Sequence, residues 1–112
     1  MSDDEFKKML AAVSAEFRAD LPARMAGIDE LWRQIIDGGY APQRMDDLIR
    51  AVHKIAGSAE TFGLTAVGQA AAAAESCLES CRGIPQTPDA AVEAEITRLL
   101  DMLRDAAGIG RR

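Results

Sequence analysis

His53 is the one histidine in a chain of 112 residues. An imidazole is a nucleophile near neutral pH and can accept an electrophilic group such as a phosphoryl. Residues three and four apart are neighbours on a helix surface, so Arg50 and Gly57 flank His53 one turn away on either side. A glycine inside a helix costs about 1 kcal/mol relative to alanine. A glycine one turn from the sole histidine therefore predicts close approach by something at that point. The alternative is that Gly57 lets a neighbouring helix pack.

Other chemistry finds little support. The chain has no Gly-rich nucleotide loop, no kinase motif and no carboxylate trio for magnesium. Cys77 and Cys81 stand four apart, and with one histidine and no CxxC spacing a zinc site lacks ligands. They read as small buried helix residues, and no metal site is expected. A hydrolase or transferase using His53 as general base lacks a second catalytic group at a telling spacing.

The element that must position His53 is Met45 to Leu64. Its apolar residues Met45, Leu48, Ile49, Val52, Ile55, Ala56, Ala59 and Phe62 have the three-and-four spacing of an amphipathic helix. At about 100° per residue, His53 falls about 100° from Val52 at the stripe's centre, on the shoulder of the helix.

His53-Lys54-Ile55-Ala56-Gly57-Ser58-Ala59 followed by Gly63-Leu64 resembles the signature of histidine-containing phosphotransfer (HPt) domains, with His53, Ile55, Gly57, Ser58 and Gly63 matching. Ala56 departs from the pattern, since many members carry lysine there. The resemblance implies a phosphocarrier, not an enzyme with kinase activity of its own. His53 would accept the phosphoryl group from phospho-aspartate receiver domains of response regulators or a hybrid histidine kinase. The partner receiver would supply the aspartate and the magnesium ion, and this chain would need no cofactor. Lys54 and Arg50 would screen the phosphoryl charge, Gly57 would leave room for it and for the receiver's loops, and Ser58 would be a supporting residue of the motif. The resemblance also places Glu75 beside the histidine, where it would accept a hydrogen bond from Nδ1–H and leave Nε2 free. Taken without the resemblance, Glu75 reads equally as a solvated glutamate at the border of its stripe. The rival reading of the whole chain is a non-catalytic helical adaptor with His53 incidental.

The remaining elements follow from stripes and punctuation. Ser2 with Glu5 signals a capping box, and Phe6, Met9, Leu10, Val13 and Phe17 predict a first helix over 3–19. Asp20-Leu21-Pro22 predicts a break, then a second helix whose stripe runs through Leu21, Met25, Ile28, Leu31, Trp32, Ile35 and Ile36 to Gly38-Gly39. Trp32 reads as core filler. Ala41-Pro42 opens the His53 helix, which ends near Phe62, with Gly63 suited to a left-handed cap. Leu64, Val67, Ala71, Ala74, Leu78 and Cys81 form the next stripe, and its alanine run 70–74 predicts tight packing on the His53 helix. A loop over 82–88 leads to a last helix capped by Thr87 and started by Pro88, with Val92, Ile96, Leu99, Leu100 and Leu103 inward. Gly108 and Gly110 predict a frayed tail. The fold expected is all-α, an antiparallel up-and-down four-helix bundle with an additional N-terminal helix, forming one domain over 1–112.

Formal net charge is −5, against clustered cations for nucleic acid, and the Arg111-Arg112 pair is too short to reverse this. No run approaches a membrane span, and the acidic start is unlike a secretory signal, so a cytoplasmic protein is expected. The acidic, fully striped bundle gives no sign of self-association, and a monomer is expected.

Overall fold

A computed structural model describes residues 2–109. Among them it holds four helices and no strand: α1 over Asp3–Ile36, α2 over Pro42–Thr61, α3 over Thr65–Glu79 and α4 over Ala90–Ala106. Gly110 and the Arg111-Arg112 pair lie outside the described residues.

The break expected at Asp20-Leu21-Pro22 is absent. The two helices predicted on either side of it are one, with Pro22 inside α1 and Ser2 accepting the Glu5 N–H at its start. The proposed extra N-terminal helix is thus the leading part of α1. An interior proline costs about 3 kcal/mol because it removes the bond to the carbonyl four residues back. Here that carbonyl belongs to Arg18, and Arg18 and Pro22 are both exposed, so water can satisfy it. The stripe meanwhile runs on through buried Phe17, Leu21, Met25, Ile28, Trp32 and Ile35. Each such side chain is worth about 1.5–3 kcal/mol when buried, enough to hold α1 continuous across the proline.

One consequence runs against expectation. At about 1.5 Å per residue the 34 residues of α1 span roughly 51 Å, close to the molecule's longest extent of 52 Å. The 20-residue α2 is much shorter. Phe17 meets Phe62 just past the end of α2, their ring centroids 5.6 Å apart. The stripe beyond that contact has nothing over it: Phe6 is 50% exposed, Met9 46%, Leu10 37% and Val13 42%. The leading part of α1 is therefore an arm with an uncovered apolar face.

The rest assembles as the stripes predict. α1 packs on α2, α2 on α3 and α3 on α4. Met45, Leu48, Ile49, Val52, Ile55 and Ala59 of α2 are buried, as are Val67, Ala71, Ala74 and Leu78 of α3. A side chain at Gly68 would stand 3.6 Å from the Ala59 Cβ, so α2 and α3 lie close where small residues face each other. Trp32 is buried, and its Nε1–H donates to Thr97 Oγ1 at 3.0 Å, fixing α1 to α4. Arg104 reinforces that contact by pairing with Asp29 of α1 while also holding Asp101 of its own helix.

Helix ends differ in detail. α2 closes with the Leu64 N–H on Ala59 O at 2.8 Å and the Gly63 N–H on Glu60 O at 3.2 Å. That closure puts Gly63 at φ +72°, in the left-handed region a side chain disfavours. α4 starts later than Thr87-Pro88 suggested. Asp89 is its cap, accepting the Val92 N–H at 2.9 Å, whereas a helix capped by Thr87 would start two residues earlier.

Candidate functional site

α2 presents His53 outward, its side chain 68% exposed. The ring's Nδ1 lies 2.7 Å from Glu75 Oε2 on α3. Glu75 is the more enclosed member, with 23% of its side chain exposed. A carboxylate accepts only, so Nδ1 carries the proton and donates, and in the neutral ring Nε2 keeps the lone pair. Of the two readings of Glu75, solvated residue or partner of the histidine, the geometry is that of the partner. The small residues of α3 account for the reach: buried Ala71 and Ala74 bring its backbone close to α2.

Two hollows meet at His53. One runs between α2 and α3 toward the end of α2 and is lined by His53, Ala56, Gly57, Glu60, Gly63 and Gln69, among others. A Cβ built on Gly57 would meet nothing within 4 Å. No helix packs there, so the packing explanation for this glycine does not hold. The open ground beside the histidine is real space.

The second hollow is charged. Asp46, Ile49, Arg50, Glu79 and Arg82 line it together with His53 and Glu75. Arg82 grips Glu79 with two N–H groups at 2.8 and 3.0 Å and reaches Asp46 at 3.1 Å. The Arg82 hydrogen bonds hold the Glu79 carboxyl below the usual carboxylate range. These three residues were not singled out in the sequence. Asp46 stands seven residues before His53 and Glu79 four after Glu75, which are helical-face spacings that carry the signal. The Asp46–Arg82 link joins distant segments and has no such signal.

The expected supporting residues separate. Arg50 lines the charged hollow beside His53. Lys54 instead lines a third groove, between α1 and α2, with Arg24, Gly27, Leu31 and Asp47, and Arg50 borders that groove too. Ser58 is half-buried and lines neither hollow at His53; its backbone carbonyl receives the Phe62 N–H. Gly57 and Glu75 are brought to the histidine, whereas Lys54 and Ser58 point elsewhere on α2. Burial raises the Cys77 thiol above its ordinary range, and Cys81 beside it adds to the rise. Both cysteines are free thiols. Among the described residues no group of three or more His, Cys, Asp or Glu could hold a metal ion. No helix among them is long and apolar enough to cross a membrane.

A family model described as the Hpt domain matches residues 12–106. No curated protein matches the chain, and no solved structure does.

Proposed function

The chain belongs to the Hpt domain family, and on that footing we propose that it relays a phosphoryl group between phospho-aspartate receiver domains, with His53 as the carrier. Family membership implies histidine phosphotransfer in phosphorelays and partnership with receiver domains and histidine kinases. The observation that carries the assignment to this residue is the exposed imidazole whose Nδ1 is tied to Glu75 while open space lies beside Gly57.

The step balances on these groups. The Nε2 lone pair attacks phosphorus of the receiver's acyl phosphate, the phosphorus–oxygen bond breaks, and the aspartate leaves as carboxylate. The ring becomes a positively charged phosphoramidate that keeps its Nδ1 proton, and that charge faces the Glu75 carboxylate. Such transfer asks for positioning and charge compensation more than for covalent machinery. Arg50 supplies positive charge on the phosphoryl side, and Gly57 leaves room for the group. Lys54 and Ser58, off the histidine's face of α2, serve the partner's approach and the helix. Magnesium and the acceptor aspartate come with the receiver, and the chain has no kinase activity of its own. It works as one HPt domain over 1–112, an antiparallel up-and-down bundle, as a cytoplasmic monomer.

The test is label transfer from a phosphorylated receiver. The protein should gain acid-labile, base-stable phosphate, lost in His53→Gln with helicity retained. Label on His53→Gln overturns the site. No label on either form leaves a helical adaptor.

A further inference from the structure

Several arginines of this acidic chain are already engaged by carboxylates. Arg33, Arg82, Arg98 and Arg104 are each tied to carboxylates. Among the described residues Arg24, Arg50 and Lys54 form no ion pair, Arg24 lying 5.6 Å over the Phe17 ring, and all three line the groove between α1 and α2. One carboxylate, Asp47, shares that groove, and it accepts a hydrogen bond from Gln43 Nε2 at 2.8 Å. The groove's floor is Ile28, Leu31 and Ala51, apolar under a charged rim, the usual anatomy of an interface. Arg50 belongs to this groove and to the charged hollow at His53, so the two surfaces are continuous.

We propose that Arg24, Arg50 and Lys54 form an electrostatic docking edge that captures an acidic face of the receiver while its phospho-aspartate meets His53. The inference rests on the phosphocarrier reading and adds where the partner is held. A receiver that gathers carboxylates around magnesium presents negative charge at its active face. This chain carries a net charge of −5, which by itself repels an acidic face at long range. An unpaired cationic strip adjoining the reactive histidine gives the encounter an attractive path and an orientation.

The experiment measures the second-order rate constant for transfer from a phosphorylated receiver at low and high salt. Arg24 is the residue to change, since it stands on α1, away from the histidine. Arg24→Glu should slow transfer about fivefold at low ionic strength, within the range of electrostatic steering. Arg24→Lys should match wild type, and the deficit of Arg24→Glu should close near 0.5 M salt, where surface charges are screened beyond a few ångströms. Lys8→Glu, an equal charge change on the arm, should stay within about twofold of wild type. Equal rates for wild type and Arg24→Glu at low salt, or equal losses for Lys8→Glu and Arg24→Glu, overturn the docking edge. If wild type takes phosphoryl neither from receivers nor from phosphoramidate, the carrier reading fails and the edge falls with it. Label at His53 with a rate indifferent to Arg24→Glu and to salt removes the edge alone.

Discussion

Glu75 Oε2 on α3 sits 2.7 Å from Nδ1 of His53 on α2, so one carboxylate both selects the ring's tautomer and faces the charge the ring would acquire in the proposed phosphorylation. A hydrogen bond to a charged group is worth about 1.5–3 kcal/mol, and the ring's exposure to water puts this one at the low end. Glu75→Ala should therefore slow phosphoryl acceptance by about tenfold. Glu75→Gln keeps an acceptor without the charge and should fall between. Nitrogen chemical shifts of the imidazole should show the wild-type ring predominantly protonated at Nδ1 and the alanine variant mixed. Identical rates in all three proteins would make Glu75 a bystander.

Two glycines lining the open hollow, Gly57 and Gly63, should respond to substitution with opposite signs. At Gly57 an added Cβ meets nothing within 4 Å and the backbone is helical. Gly57→Ala should raise stability by up to about 1 kcal/mol. Gly57→Leu should keep the fold yet slow transfer, because its side chain would occupy the ground that the proposed relay gives to the phosphoryl and the receiver. Gly63 holds φ +72° at the close of α2. Gly63→Ala should cost about 1 kcal/mol or somewhat more. Paired denaturation curves and transfer rates check both; Gly57→Leu transferring at the wild-type rate would show that the open space has no use.

Much of this was legible from spacing. Apolar residues at three and four apart marked the buried faces of all four helices, and the short motif around His53 pointed to the candidate site, because both are local patterns. The continuity of α1 was not legible: Asp20-Leu21-Pro22 is a good helix start when read locally, and only the burial of Leu21 and Met25 by the rest of the bundle overrides it. The uncovered arm was missed for a related reason. A stripe predicts a face that wants cover, and whether a second helix is long enough to reach it depends on three-dimensional lengths. Lys54 illustrates the same limit at the site: adjacency to His53 in sequence is a step of about 100° around α2, which carries it into a different groove.

The thiols should be quiet in the folded protein. The thiolate is the reactive form, and burial with Cys81 alongside holds the Cys77 thiol above its ordinary range. Cys81 itself is 4% exposed. Alkylation at pH 7.5 should proceed much more slowly than for a free thiol, accelerate as pH rises, and reach both residues together on unfolding. Fast modification of Cys77 at neutral pH would mean that its partial burial does not hold the thiol protonated.

The arm should be dispensable for the bundle and should not drive self-association. Its exposed stripe packs on nothing, so deleting residues 2–13 removes no core contact and should move the thermal midpoint by no more than about 2 °C, the shift expected for a few tenths of a kcal/mol in a domain of this size. Self-pairing through the stripe meets two obstacles. Parallel pairing would put two bundles in one space, since the bundle packs on the face of α1 that carries the stripe. Antiparallel pairing that sets Phe6 against Phe17 and Leu10 against Val13 of a second copy brings Glu5 of one arm beside Glu16 of the other, and Lys7 beside Arg18, like charges on both flanks of the seam. Like-charge juxtaposition disfavours such a pair. Sedimentation at micromolar concentration should therefore report a monomer for both the full chain and the truncated one. A concentration-dependent dimer that disappears with residues 2–13 would show that the apolar stripe outweighs its flanking charges.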